Sequence, residues 1–375
     1  MWPQHNKLQS LSIPYVDFHK SLSRCENGVG AGPSGTTFEH LRDSAITNAS
    51  VCTHLHALVN TMIRGKLPQP LADLLTSSRL IALAKPDSGA RPIAIGECLT
   101  RLAAKAALSV VGEAAQEFFL PLQFGVAFPS GAEAIIHTIR AFTDAQPDTL
   151  ILQTDLSNAF NSILRQAIVT ALQDDALQPL LPLVQLIYGN PLLLYLDASF
   201  NNAPLASERG VRQGDPLGPL LYRAGIHPAL HATAAAYPRV LCLAYADDVM
   251  FLGAAAETTE AFAHFTRQLE LVGLQHNPGK CAAWSRTRLD RYVHLPPGVP
   301  LSGDGVRQLG SFIDTTDGTA SFITGQLTAM AKPLPLLERM DPQTSSLLLM
   351  RCISCRVAYL TWTTPLNLLP DSSWS

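Results

Sequence analysis

Leu243-Ala244-Tyr245-Ala246-Asp247-Asp248-Val249-Met250-Phe251 sets two carboxylates side by side between two short apolar runs, Val240 to Tyr245 and Val249 to Leu252. Bounded apolar runs of that length predict the two strands of a β-hairpin with the acids at its tip. Like charges at the end of apolar strands repel each other and resist burial unless a cation neutralises them. A divalent metal held by hard oxygen ligands is the economical explanation. An ordinary surface turn accounts for the pair alone just as well, because Asp is a common turn residue.

A third acid shifts the balance. Asp155 ends the apolar run Leu150-Ile151-Leu152-Gln153-Thr154, which predicts a buried strand, and Leu156-Ser157-Asn158-Ala159-Phe160 leads on into a helix with Ser157 or Asn158 near its start. Two apolar strands ending in Asp could lie side by side in one sheet and gather three carboxylates around one point. Three are enough for two magnesium ions about 3.5–4 Å apart, the arrangement used for phosphoryl or nucleotidyl transfer. Mg²⁺ itself takes only one or two carboxylates and fills its shell with waters and substrate phosphates.

Asp155 to Phe160, then Arg212-Gln213-Gly214-Asp215-Pro216-Leu217-Gly218-Pro219, then Tyr245-Ala246-Asp247-Asp248, resemble in that order motifs A, B and C of reverse transcriptases. More narrowly they resemble the non-LTR (LINE-like) retrotransposon branch, with group II intron and bacterial enzymes as near relatives. Gly273 to Lys280 is similar to motif D and Gln308-Leu309-Gly310 to motif E. Arg91-Pro92-Ile93-Ala94-Ile95 resembles the fingers motif and Gly32-Pro33-Ser34-Gly35 the leading glycine–proline element. Each element alone is weak, but this many in order is specific, and together they cover roughly residues 28–312. The resemblance implies an α+β right-hand polymerase with fingers, a palm built on an antiparallel sheet, and a partial helical thumb. It implies an RNA-directed DNA polymerase, a nucleotidyltransferase that adds dNTPs to a DNA or RNA primer on an RNA template.

The resemblance also implies roles. Asp155 and Asp247 would bridge two Mg²⁺ ions (Mn²⁺ is also compatible), the Leu156 carbonyl would complete the shell, and Asp248 would be the more peripheral acid. Phe160, five residues after Asp155, would lie beneath the sugar, where its ring would exclude a ribose 2′-hydroxyl and disfavour an RNA-dependent RNA polymerase. Asn161 stands where many relatives carry Asp, without affecting a presumed ligand. Gln213 would touch nucleotide or template with Arg212 assisting, and Gly214 would let the backbone approach a base or sugar closely. Lys280 would protonate the leaving pyrophosphate. Arg79 to Lys85 and Arg91 to Ile95 are runs joined by Pro86-Asp87-Ser88-Gly89-Ala90, a strong turn, so a hairpin is expected with Lys85 roughly opposite Arg91. Opposed like charges destabilise a strand pair, which argues for an anion between them, here the incoming triphosphate.

The 375 residues exceed a usual single domain, and an apolar content of 47% is ample for a core. A net charge of −3 with 15% charged residues lacks the basic footprint of a duplex binder and argues against strong autonomous affinity for long duplexes. Local basic density remains at Arg286, Arg288 and Arg291 beside Tyr292. Seven irregularly spaced cysteines suit a reducing compartment, and Cys352-Ile353-Ser354-Cys355 reads as two residues on a helix face. Without a long apolar run or a signal-peptide core, a soluble intracellular protein without membrane attachment is expected.

The expected organisation is an irregular entry over 1–19, fingers over 20–98, palm over 99–162, a second fingers portion over 163–213, palm again over 214–312, and a thumb, possibly truncated, over 313–375. The stretch after 312 is shorter than a ribonuclease H domain needs, so the chain reads as a polymerase core or as a fragment of a longer element protein, the fragment being favoured. The competing expectation is an inactive or domesticated polymerase fold that only binds nucleic acid or a protein partner.

Overall fold

The computed structural model describes residues 11–84, 89–196, 203–287, 294–314, 317–365 and 369. The chain begins with α1 (Tyr15–Ser23), α2 (Phe38–Thr47), α3 (Ala49–Ile63) and α4 (Gln69–Thr76), then the hairpin β1 (Ser78–Ala84) and β2 (Ala90–Gly96). Helices α5 (Cys98–Phe119) and α6 (Gly131–Ala145) precede β3 (Leu150–Gln153), and α7 (Ala159–Ser162), α8 (Arg165–Ala171) and α9 (Leu181–Tyr188) follow it. Next come β4 (Leu192–Tyr195), β5 (Leu205–Ser207), α10 (Gly218–Ala236), β6 (Leu241–Tyr245), β7 (Asp248–Gly253) and α11 (Ala255–Leu271). The last strands are β8 (Ala282–Ser285), β9 (Val306–Gln308) and β10 (Ser311–Ile313), before α12 (Asp317–Ala331), α13 (Leu334–Leu337), α14 (Pro342–Leu348) and α15 (Cys355–Thr363). This is the α+β class expected from the sequence. Among the described residues no helix is long and apolar enough to cross a membrane.

The chain divides into two compact units. The first takes in the described residues up to Ala127, then Leu156–Ala232 and Arg267–Gln275. Its sheet has the order β2-β1-β4-β5. Its helical core runs along α5, where Leu102, Ala103, Ala104, Ala106 and Ala107 are fully buried. Alanines carry little side chain, so α3 and α1 pack closely on this helix. Gly32 shows how the leading Gly-Pro-Ser-Gly element is fixed: a Cβ there would stand 2.8 Å from the Glu97 backbone. The buried Glu97 carboxylate accepts from both the Ser34 amide (2.7 Å) and the Ser34 hydroxyl (2.6 Å).

The second unit comprises Phe128–Asp155, Thr233–Thr266 and His276–Ser375. Its sheet has the order β6-β7-β3-β8, with every neighbouring pair antiparallel. Central strands are covered on both faces, and so β3 and β7 read as unbroken apolar runs rather than alternating ones. Leu150, Ile151, Leu152, Val249, Phe251 and Leu252 are fully buried. The helix expected at Cys352 to Cys355 lies in a run of α14, a π-helical turn over Leu349–Ser354, and α15. Cys352 and Cys355 are exposed there, and all seven cysteines are free thiols.

Candidate active site

Strand register alone brings the acids together. Gln153 pairs with Met250, and the Thr154 amide donates to Val249 O at 2.9 Å. One step further along the same antiparallel register, Asp155 falls opposite Asp248. In the neighbouring pair Tyr245 faces Asp248, leaving Ala246 and Asp247 as the hairpin turn. Ala246 has φ +61°, a left-handed conformation uncommon outside glycine. The Asp248 carboxyl is pushed up to about 6, first by burial, then by the negative charges of Asp247 and Asp155. All three acids are half-buried. Asp247 and Asp155 are near enough to act on Asp248, but among the described residues no three or more His, Cys, Asp or Glu side chains are grouped so as to hold a metal ion.

The loop after His276 straddles the Asp155 backbone. Asn277 donates its amide to Asp155 O (2.8 Å), and the Asp155 amide donates to Cys281 Sγ (3.3 Å). Cys281 is a buried neighbour of Asp155 that sequence reasoning passed over, and nothing in a lone Cys would have flagged it. Lys280 sits at the exposed end of a short 3₁₀ turn, Pro278–Lys280. Arg286 is held by Asp144 at 2.8 Å, while Arg288, Arg291 and Tyr292 lie outside the described residues.

The residues expected to meet the nucleotide belong to the first unit. The Asp155–Leu156 peptide bond is one of the points where the chain passes between units. Leu156 is buried, and next to it the Ser157 amide donates to Gln275 O. Phe160 stacks on Tyr222 with centroids 4.7 Å apart and planes 14° from parallel. Its carbonyl accepts from the Val211 amide at 2.8 Å. Gly210 permits that contact, since a Cβ there would stand 2.4 Å from Phe160 O.

Gly214 has φ +110°, and a Cβ would come within 2.8 Å of Ala94 O. The Ala94 amide donates to Gln213 O at 2.8 Å. The Gln213–Gly214 segment therefore docks on the open edge of β2, and the close backbone approach expected at Gly214 is made to the protein's own strand. Gln213 is half-buried and Gly214 exposed.

Arg212 departs from the expected assisting role. Its guanidinium is buried and donates to Thr76 O (2.8 Å), Ser78 Oγ (2.6 Å) and Asp215 Oδ2 (3.1 Å). The Tyr188 hydroxyl donates to the same Asp215 oxygen at 2.6 Å, and the other oxygen accepts from the Leu217 amide. Burial opposes charge on Arg212, yet Asp215 and Tyr188 hold its guanidinium above its usual range. This buried network locks the Arg-Gln-Gly-Asp-Pro loop. Tyr188 was missed from sequence; the Arg212–Asp215 spacing of three was the available signal.

The β1–β2 hairpin forms as expected, but its register pairs Arg91 with Leu83 and Ala90 with Ala84. Lys85 lies past the last pair, outside the described residues. The argument from directly opposed charges loses its premise, because Arg91 is exposed on a strand end facing a leucine.

The model of the family described as reverse transcriptase (RNA-dependent DNA polymerase) matches residues 83–312. The retrotransposable element SLACS 132 kDa protein of Trypanosoma brucei gambiense is 30% identical over 312 residues, 82% of this chain and 25% of that protein. The chain thus spans a quarter of that relative's length. Apo telomerase from Candida tropicalis, truncated from its C-terminal domain, superposes with a TM-score of 0.46 at 11% identity, covering 64% of this chain and 54% of the other. Telomerase from Candida albicans in complex with a fragment of telomeric RNA gives 0.48 at 12% identity, over 67% and 46%.

Proposed function

The chain belongs to the reverse transcriptase (RNA-dependent DNA polymerase) family, and from that premise we propose that it is the polymerase part of a retroelement protein, extending a DNA or RNA primer with dNTPs on an RNA template. The observation that carries the reading is the register opposing Asp155 to Asp248, with Asp247 in the adjoining turn.

Crowded carboxylates, one of them pushed up to about 6, make a site that a divalent cation relieves. Two Mg²⁺ ions, or Mn²⁺, would be held by Asp155, Asp247, Asp248 and the Leu156 carbonyl, supplying charge stabilisation at the attacking 3′-hydroxyl and the leaving pyrophosphate. An open arrangement suits Mg²⁺, which keeps waters and substrate phosphates in its shell. The chain's own residues then have mostly positioning work, as phosphoryl transfer needs little covalent help. Phe160, fixed flat on Tyr222, would bar a ribose 2′-hydroxyl. Gln213 would read nucleotide or template, Arg91 and Lys85 would take the triphosphate, and Lys280 would hand a proton to pyrophosphate. We assign Arg212 to bracing the Gln213 loop. The fingers, palm and thumb divisions given above belong to the same proposal.

The test is extension of a labelled DNA primer on an RNA template with Mg²⁺ and dNTPs, beside Asp247→Asn. Extension that the substitution abolishes supports the proposal. Folded protein that neither extends primer nor binds dNTP in a metal-dependent way would leave a polymerase fold that only binds a partner, and ribonucleotide incorporation as fast as dNTP incorporation would overturn the role of Phe160.

A further inference from the structure

We propose that the cavity between α11 and the loop carrying His276 and Pro278 binds a small, flat, uncharged aromatic molecule bearing one hydrogen-bond donor, and that its occupation steadies the backbone clamp on Asp155.

The cavity measures about 540 Å³, within the range that small-molecule sites occupy. Thr259, Phe262, Ala263 and Thr266 line it from α11, one stripe of that helix at spacings of three and four. Pro278, Val299 and the run from Leu295 to Pro297 give it further apolar walls. All of these residues belong to the second unit. Walls of this kind shelter an apolar ring from water but offer nothing to compensate a charge. His276 stacks on Phe262 with centroids 4.6 Å apart and planes 19° from parallel. Part of the wall is therefore a pair of rings, on which another ring packs offset or edge to face.

The polar requirement comes from the same histidine. Both His276 ring nitrogens are buried and make no hydrogen bond among the described residues. Burial pushes the imidazole down to about 4, so at neutral pH it is uncharged, with one acceptor nitrogen and one N–H. A buried acceptor left unpaired is costly, and a donor on the ligand pairs it. The Thr259 and Thr266 hydroxyls already donate to carbonyls of their own helix, and His294, which also borders the cavity, is exposed.

The loop that walls the cavity also reaches the acids. Asn277 lies between His276 and Pro278, and its amide is the one that donates to Asp155 O at 2.8 Å. Its carbonyl accepts from the Cys281 amide at 3.1 Å, and Cys281 Sγ takes the Asp155 amide. A ligand seated against His276 and Pro278 restrains the residue between them, and with it the backbone of Asp155.

The experiment titrates wild type and His276→Phe with indole and with benzothiophene, the isostere of indole that lacks the N–H. Calorimetry gives Kd and hydrogen exchange follows residues 276–281. Wild type should bind indole about three- to tenfold more tightly than benzothiophene, the scale of one hydrogen bond. His276→Phe keeps a ring at the stack and should bind the two alike. Indole should slow exchange over the loop. One consequence rests on the polymerase reading above: with Asp155 steadied, indole should lower the Mg²⁺ concentration for half-maximal extension. Folded protein that binds no indole saturably overturns the site. Equal affinities in wild type, or a preference that survives in His276→Phe, overturn the hydrogen bond to His276. Binding without slowed exchange, or extension with an unchanged Mg²⁺ requirement, overturns the coupling to Asp155. A wild type that extends no primer refutes the polymerase reading alone, while binding and exchange still decide the site.

Discussion

The gate proposed at Phe160 depends on a neighbour. An aromatic side chain free to rotate would swing aside from a 2′-hydroxyl; stacking 4.7 Å from the fully buried Tyr222 opposes that rotation. Replacing it by a smaller apolar residue removes the obstruction without disturbing the acids. Phe160→Val should therefore cut discrimination between dNTP and NTP by about tenfold or more, the scale on which a pocket senses a lost group, with kcat for dNTP largely kept. Misincorporation assays with single ribonucleotides read this directly; discrimination unchanged in the variant would place the gate elsewhere.

At the level of elements, the Arg-Gln-Gly-Asp-Pro loop works because its first and fourth residues turn inward and its second and third face the edge of β2. Arg212, Asp215 and Tyr188 share buried hydrogen bonds, and Gln213 O pairs with Ala94 N. Breaking a buried ion pair strands its partner's charge, so Arg212→Ala should destabilise the protein by about 3–5 kcal/mol, measured as a lowered denaturation midpoint. A nucleotide ligand would behave differently: the variant would keep its stability and show only a raised KM for dNTP. The β1–β2 hairpin teaches a related lesson, since its strands were evident from sequence but its pairing was not. A shift of two residues in register moved Lys85 beyond the last pair and set Leu83 against Arg91.

For the whole molecule, the acid cluster ties stability to pH and to metal. Asp248 titrates near 6 in the folded chain against an ordinary 3.8, so the folded state holds its proton to higher pH than the unfolded state does. Such a raised acid favours folding fully at low pH, and that contribution is lost as pH rises between about 4 and 6. In chelator-containing buffer, urea midpoints should fall across that window, and Asp248→Asn should flatten the fall. Mg²⁺ should raise the midpoint more at pH 7 than at pH 5, because only the ionised carboxylates attract it. An equal effect at both pH values would detach the ion from these acids.

The strand-forming apolar runs, the three carboxylates at their ends, the aromatic five residues after Asp155, and hence the family, were legible in the order of residues, because each is a local pattern of residue types. The helix that carries Cys352 and Cys355 was legible for the same reason. The burial of Arg212, the contact of Cys281 with Asp155, and the ties of Tyr359 and Arg140 to the β9–β10 hairpin came to light only in the folded chain. These contacts join residues between 50 and 172 positions apart in the cases of Tyr359 with Leu309 and Arg140 with Phe312. Burial and partnership at such separations depend on strand register and chain packing, which no local pattern of residue types encodes.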